Sequence, residues 1–214
     1  MYYLVFPLSV IALVAVFAFA ARRGAERGAG TGGWLAGLLR PAEGVGGPRA
    51  LACYLAIPAV VAADQATKLL VSAWLAPGGR SPGDIPVIPG FFDITYVRNT
   101  GAAFNILRDR PGLLSSFVML LLAAMLAYIF LRGRKESAMV LAGVSLVAGG
   151  GIGNLVDRLR LGYVVDFLGF GSFPVFNAAD IAVCTGCGLI ILHFALSERR
   201  AARAGKGAAD GPAG

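Results

Sequence analysis

Histidine occurs once in this 214-residue chain, at position 193, and cysteine three times. One histidine excludes any multi-histidine metal centre. Three cysteines leave no complete set of pairs, and Cys53, Cys184 and Cys187 all fall inside apolar stretches, where thiols act as small buried hydrophobes. The Cys184-Thr-Gly-Cys187 spacing matches a redox motif but lacks the accessible, electropositive setting such thiols need. Charge is scarce as well. Charged residues make up 14% of the chain against 57% apolar residues, with a mean hydropathy of +0.73, and this balance excludes an ordinary soluble domain.

What is present is length of apolar run. Stretches at about 1–21, 51–76, 113–131, 138–156 and 180–197 each approach the roughly 20 residues a spanning helix requires, so the pattern predicts five transmembrane segments. The net charge of +7 follows membrane topology and not nucleic-acid binding, because no basic run alternates with aromatics. Arg22, Arg23, Arg27, Arg40 and Arg49, then Arg132, Arg134 and Lys135, then Arg199, Arg200, Arg203 and Lys206 mark three regions on one side, the cytoplasmic one. Segments 77–112 and 157–179 then face outward, although they carry Arg80, Arg98, Arg108, Arg110, Arg158 and Arg160.

Residues 1–21 resemble a signal peptide at Ala18-Phe19-Ala20, but no basic residue precedes the run and arginines follow it, which favours an uncleaved N-terminal transmembrane helix. Residues 22–50 read as a Gly/Arg/Pro-rich cytoplasmic linker, residues 51–198 as the functional domain and 199–214 as a disordered cytoplasmic tail. Between 77 and 90, proline and glycine predict an irregular outward loop. Phe91–Val97 and Tyr163–Leu168 read as strands of a small sheet outside the membrane, and Asp109-Arg110-Pro111 as a helix start. Gly149 and Gly153 form a small-xxx-small seam, with Asn154 and Arg158 directly after it on one helix face.

Ionisable residues at the edge of lipid are costly and mark candidate sites. Asp64 and Lys68, spaced i, i+4, either neutralise each other or line a polar site. Asp180, three residues after Asn177, either completes a capping box or pairs with Asp166. Two carboxylates at hydrogen-bonding distance share one proton and can together activate water and protonate a leaving group. The helix N-terminus favours the charged form of Asp180, which makes Asp166 the more easily protonated partner, although coupled groups titrate as a pair. A small transporter with Asp64, Lys68, Asp166 and Asp180 along a polar path is the rival reading; it calls for inverted repeats, and none is visible.

Four blocks occur in order: Asp64-Gln65-Ala66-Thr67-Lys68; Val97-Arg98-Asn99-Thr100-Gly101-Ala102-Ala103-Phe104; Gly153-Asn154-Leu155-Val156-Asp157-Arg158 with Val164-Val165-Asp166-Phe167; and Phe176-Asn177-Ala178-Ala179-Asp180. Over residues 51–197 they resemble the blocks of bacterial lipoprotein signal peptidase, or signal peptidase II. The resemblance implies an aspartyl endopeptidase of the bacterial inner membrane, without metal or organic cofactor. Such enzymes cut the signal peptide from a prolipoprotein just before a cysteine carrying a diacylglyceryl group, at the extracytoplasmic interface. It implies Asp166 and Asp180 as the catalytic pair. Asn154, Arg158 and Asn177 match positions that line or order the site, Asn99 one that contacts substrate backbone, and Asp64 and Lys68 polar positions near the pocket. The implied fold is a four-helix transmembrane bundle with a small extracytoplasmic β-sheet cradle. Family members usually begin near residue 50 here, so the first span and the linker are additions.

Overall fold

The computed structural model describes residues 48–80, 83–100, 111–132 and 136–209. The expected first helix, nearly all of the linker, the Gly101–Phe104 stretch and the Asp109 helix start lie outside these residues. Four helices and four strands follow in the order α1 Pro48–Leu75, β1 Ile85–Ile88, β2 Phe92–Asn99, α2 Pro111–Arg132, α3 Ala138–Leu161, β3 Val164–Phe170, β4 Phe173–Phe176 and α4 Ala178–Ala209. Among the described residues three helical stretches, Leu51–Leu75, Ala138–Leu161 and Ala178–Ala201, are long and apolar enough to cross a membrane. In α2 the apolar part is the shorter Val118–Arg132.

Helix α3 is the central element. Of its apolar window 61% is buried, against 17% for α1 and 33% for α4, and it packs against each of the other three helices. Its small residues make this possible. A Cβ on Gly143 would stand 2.7 Å from the carbonyl oxygen of Gly186 in α4, and one on Gly149 would stand 2.8 Å from Val60 Cβ in α1. Ser137 starts the helix, its hydroxyl accepting from Val140 N–H at 3.3 Å, and Gly162 ends it in the left-handed conformation (φ 79°). The Ser137 hydroxyl also meets His193 Nδ1 at 3.1 Å, which ties α3 to α4 at the end far from the sheet. Leu51, Leu55, Leu69 and Leu70 of α1, Leu120 of α2 and Ile191 of α4 are exposed, as side chains facing lipid would be.

The sheet is antiparallel in the order β1-β2-β3-β4. Strands β2 and β3 stand where the aromatic and β-branched runs predicted them. The loop expected over 77–90 contains strand β1, and β4 follows β3 where no strand was expected. Both carry proline, Pro86 and Pro174, and both are edge strands, where a missing N–H does not interrupt a ladder on two sides. Helix α4 continues to Ala209, so residues 199–209 are helical and not the expected disordered tail; alanine, arginine and lysine dominate there and favour helix. Phe92 and Phe176 each stack on Phe170, which holds the far end of the sheet together.

The arginines expected to face outward each have a local partner where they are described. Arg80 lies over the Trp74 ring, Arg98 over the rings of Tyr96 and Tyr163, and Arg160 donates to Gln65 Oε1 at 3.5 Å. Arg158 donates to the Asn154 carbonyl at 3.3 Å.

Candidate active site

Asp166 lies on β3 directly opposite Val97 of β2. Asn99, two residues further along β2, falls on the same face by the period of the strand, and its Nδ2 donates to Asp166 Oδ2 at 2.8 Å. The other oxygen, Oδ1, accepts from Asn177 Nδ2 at 2.7 Å. Asp166 is 1% exposed. Burial first, and then the charge of Asp180, push its pKa up to about 7; the amide bonds from Asn99 and Asn177 and the charge of Lys68 oppose the shift.

Asp180 is in the first turn of α4. Asn177 caps this helix: its Oδ1 accepts from Asp180 N–H at 3.0 Å, while Asp180 Oδ2 accepts from Asn177 N–H at 3.2 Å. The capping box is therefore formed, and it uses only one of the two carboxylate oxygens. The other, Oδ1, accepts from Asn154 Nδ2 at 2.9 Å and faces the site. Cap and site membership are compatible because a carboxylate has two oxygens.

Two asparagines join the acids. Asn177 Nδ2, besides its bond to Asp166, lies 3.1 Å from Asn154 Oδ1, and Asn154 in turn holds Asp180. The orientation of Asn154 is fixed by chemistry, since Lys68 Nζ lies 2.9 Å from its Oδ1 and an ammonium can only donate. The three protons of Lys68 are all engaged: Asn154 Oδ1, Asp64 Oδ2 at 2.8 Å and Asp157 Oδ2 at 3.0 Å. Asp64 also accepts from Ala179 N–H at 2.9 Å, which pins α1 to the start of α4. Asp64 and Lys68 do neutralise each other, as their spacing allows, and they border the site as well.

All eight residues singled out in the sequence, Asp64, Lys68, Asn99, Asn154, Arg158, Asn177, Asp166 and Asp180, thus meet at one end of the helices, under the sheet. The sequence reading missed Gln65 and Asp157. Gln65 Nε2 donates to Asp157 Oδ1 at 2.9 Å and to the Gly153 carbonyl at 3.2 Å, and Asp157 Oδ2 accepts from Val165 N–H at 3.0 Å. Both lie inside the motif blocks quoted above, which was the available signal. No buried side-chain nitrogen or oxygen among the described residues lacks a partner. Burial of Asp166 beside the charge of Asp180 favours keeping a proton there, which the charge of Lys68 opposes only in part.

Gly153 shows how tightly this end is built. A Cβ there would stand 2.5 Å from Asp64 Oδ2, a group already fixed by Lys68, Gln65 and Ala179. Gly153→Ala is expected to cost about 1–3 kcal/mol and to lower the unfolding midpoint, whereas Gly151→Ala, facing only the flexible end of Leu122 at 3.1 Å, costs less. Thermal unfolding of both variants in detergent checks this; equal midpoints would contradict it.

Apolar helices carrying a cluster of acids and amides at one end, under a small sheet, define a membrane protein with an enzyme-like site. The Signal peptidase (SPase) II family, Peptidase_A8, matches residues 56–196. The lipoprotein signal peptidase of Symbiobacterium thermophilum is 42% identical over 154 residues, covering 70% of this chain and 97% of the relative. That of Halothermothrix orenii is 40% identical, covering 68% and 97%. A solved bacterial membrane enzyme, determined by the in meso method, superposes with a TM-score of 0.60 at 31% identity, covering 69% of this chain and 89% of its own. The chain belongs to the signal peptidase II family and is a membrane peptidase.

Proposed function

We propose that this chain removes the signal peptide from prolipoproteins, cutting before a cysteine that carries a diacylglyceryl group, and that Asp166 and Asp180 perform the hydrolysis. The observation that carries this reading is the amide bridge Asp166–Asn177–Asn154–Asp180, which holds the two carboxyls in one hydrogen-bonded unit. Helices α1 to α4 form a four-helix bundle across the inner membrane, with the sheet and the site at its extracytoplasmic side. Asp180 is partly exposed there and Asp166 buried, so substrate reaches the pair from one face.

With one proton on the pair, the ionised carboxylate takes a proton from water as its oxygen attacks the scissile carbonyl. The tetrahedral intermediate collapses by breaking the C–N bond, and the protonated carboxyl delivers its proton to the departing amine. Proton and charge balance over the cycle. Asn99, the last residue of β2, holds extended substrate backbone, and Arg158 offsets developing negative charge.

The alkaline limb of activity follows from Asp166. Its folded-state pKa of about 7 lies above the usual carboxyl value, so the shared proton is present below pH 7 and lost as pH rises through it. Cleavage of a diacylglyceryl-modified precursor in proteoliposomes is expected to fall about tenfold per pH unit well above 7, with the unmodified precursor left uncut. Equal processing of both precursors would overturn the substrate assignment, and a rate that is flat or rising through pH 7 to 9 would overturn the shared proton.

A further inference from the structure

Asp157 is a buried carboxylate at this end of the helices to which the hydrolysis assigns no task. It is 2% exposed, and both oxygens are engaged: Oδ1 accepts from Gln65 Nε2 at 2.9 Å, and Oδ2 from Lys68 Nζ at 3.0 Å and from Val165 N–H at 3.0 Å. The bond to Val165 spans the turn from α3 into β3. Strand β3 pairs with β2 along one edge from Val164 onward, but β4 joins the other edge only at Leu168, opposite Phe176. At Val165 that second edge has no strand beside it. Two side chains take the place of one: Asp157 accepts from the Val165 N–H, and Asn177 Nδ2 lies 3.4 Å from the Val165 carbonyl oxygen. A main-chain N–H and C=O of one strand residue point to the same edge, so these two contacts fix the backbone immediately before Asp166.

We propose that Asp157 is a positioning residue for the peptidase reaction: its bond to the Val165 N–H sets where the Asp166 carboxyl stands relative to Asp180. The proposal rests on the reading of Asp166 as a reacting group. A carboxylate accepting from a backbone N–H makes one of the stronger kinds of hydrogen bond, and here Lys68 and Gln65, both from α1, hold that carboxylate in place. The strand is thereby tied to α1 and α3 at the residue before the reacting one. A displacement of the order of 1 Å at a reacting group costs about 100-fold in rate, which sets the size of the effect.

Two readouts test it. In single-turnover and steady-state cleavage, Asp157→Ala is expected to lower kcat about 100-fold with KM within about twofold, whereas Asp157→Asn, which retains an acceptor for the Val165 N–H, stays within about tenfold of the parent. In hydrogen exchange read by mass spectrometry, peptides covering Val164–Phe167 exchange faster in Asp157→Ala and not in Asp157→Asn, while peptides from α4 are unchanged. Unchanged exchange over Val164–Phe167 in Asp157→Ala would overturn the tether whether or not Asp166 is catalytic, because exchange does not depend on cleavage. Undiminished kcat in a variant with loosened β3 would overturn the positioning role. If Asp157→Ala does not fold, Asp157→Asn decides alone: kcat within tenfold supports the proposal, and a loss of 100-fold or more contradicts it.

Discussion

Asp166→Asn and Asp180→Asn are each expected to lower the rate of prolipoprotein cleavage by about 1,000-fold or more, while the protein still folds. General acid–base catalysis contributes about 100- to 10,000-fold, and removal of either acid leaves no way for one group to accept the proton of water while the other donates to the amine. The folding half of the expectation has a specific origin. Both oxygens of Asp166 accept from amide NH2 groups, those of Asn99 and Asn177, so asparagine at 166 must point its own NH2 at one of these donors. That mismatch costs about 1–3 kcal/mol, but removing a charge from a buried and net-negative cluster offsets part of it. The unfolding midpoint is expected to move by a few degrees, in contrast to the large loss of activity, and retained turnover by either variant would refute the pair.

Lys68→Met has the opposite profile: the largest loss is in stability. Lys68 is 3% exposed and satisfies Asp64, Asp157 and Asn154 at once. Its removal leaves two buried carboxylates without their cation and frees Asn154 to turn away from Asp180. Breaking a buried ion pair from one side costs about 3–5 kcal/mol, a fall in the unfolding midpoint on the order of 10 °C for a chain of this size. Adding Asp64→Asn to Lys68→Met should recover part of that loss, since it removes one of the stranded charges. Thermal unfolding in detergent of the single and double variants measures both terms. A midpoint for Lys68→Met within about 2 °C of the parent would show that the network is not structural.

Much of this site was legible in the sequence because its chemistry is costly in its setting. Asp64, Lys68, Asp166 and Asp180 stand out as ionisable groups beside apolar runs, and Asn177 three residues before Asp180 reads as a helix cap from local pattern alone. Strands β2 and β3 were legible from their aromatic and β-branched residues. Strands β1 and β4 were not, because Pro86 and Pro174 read as loop signals and only the order of strands in the sheet reveals that both sit on edges. Gln65 and Asp157 lie inside the motif blocks, but their pairing had no local mark, since the bond between them joins positions 92 apart in sequence and depends on α1 and α3 lying side by side. The double use of Asp180, one oxygen for the cap and one for the site, likewise needs coordinates: sequence offers the two readings as alternatives, and the geometry holds both.

Whether Asp166 and Asp180 act as one site is decided by a crystal structure of the enzyme bound to a peptide analogue bearing a hydroxyl at the scissile position. Both carboxyls are expected to lie within hydrogen-bond distance of that hydroxyl, about 2.5–3.0 Å, with Asn154 and Asn177 still bridging them. A hydroxyl bound by one carboxyl while the other faces away would contradict the shared proton and the hydrolysis built on it.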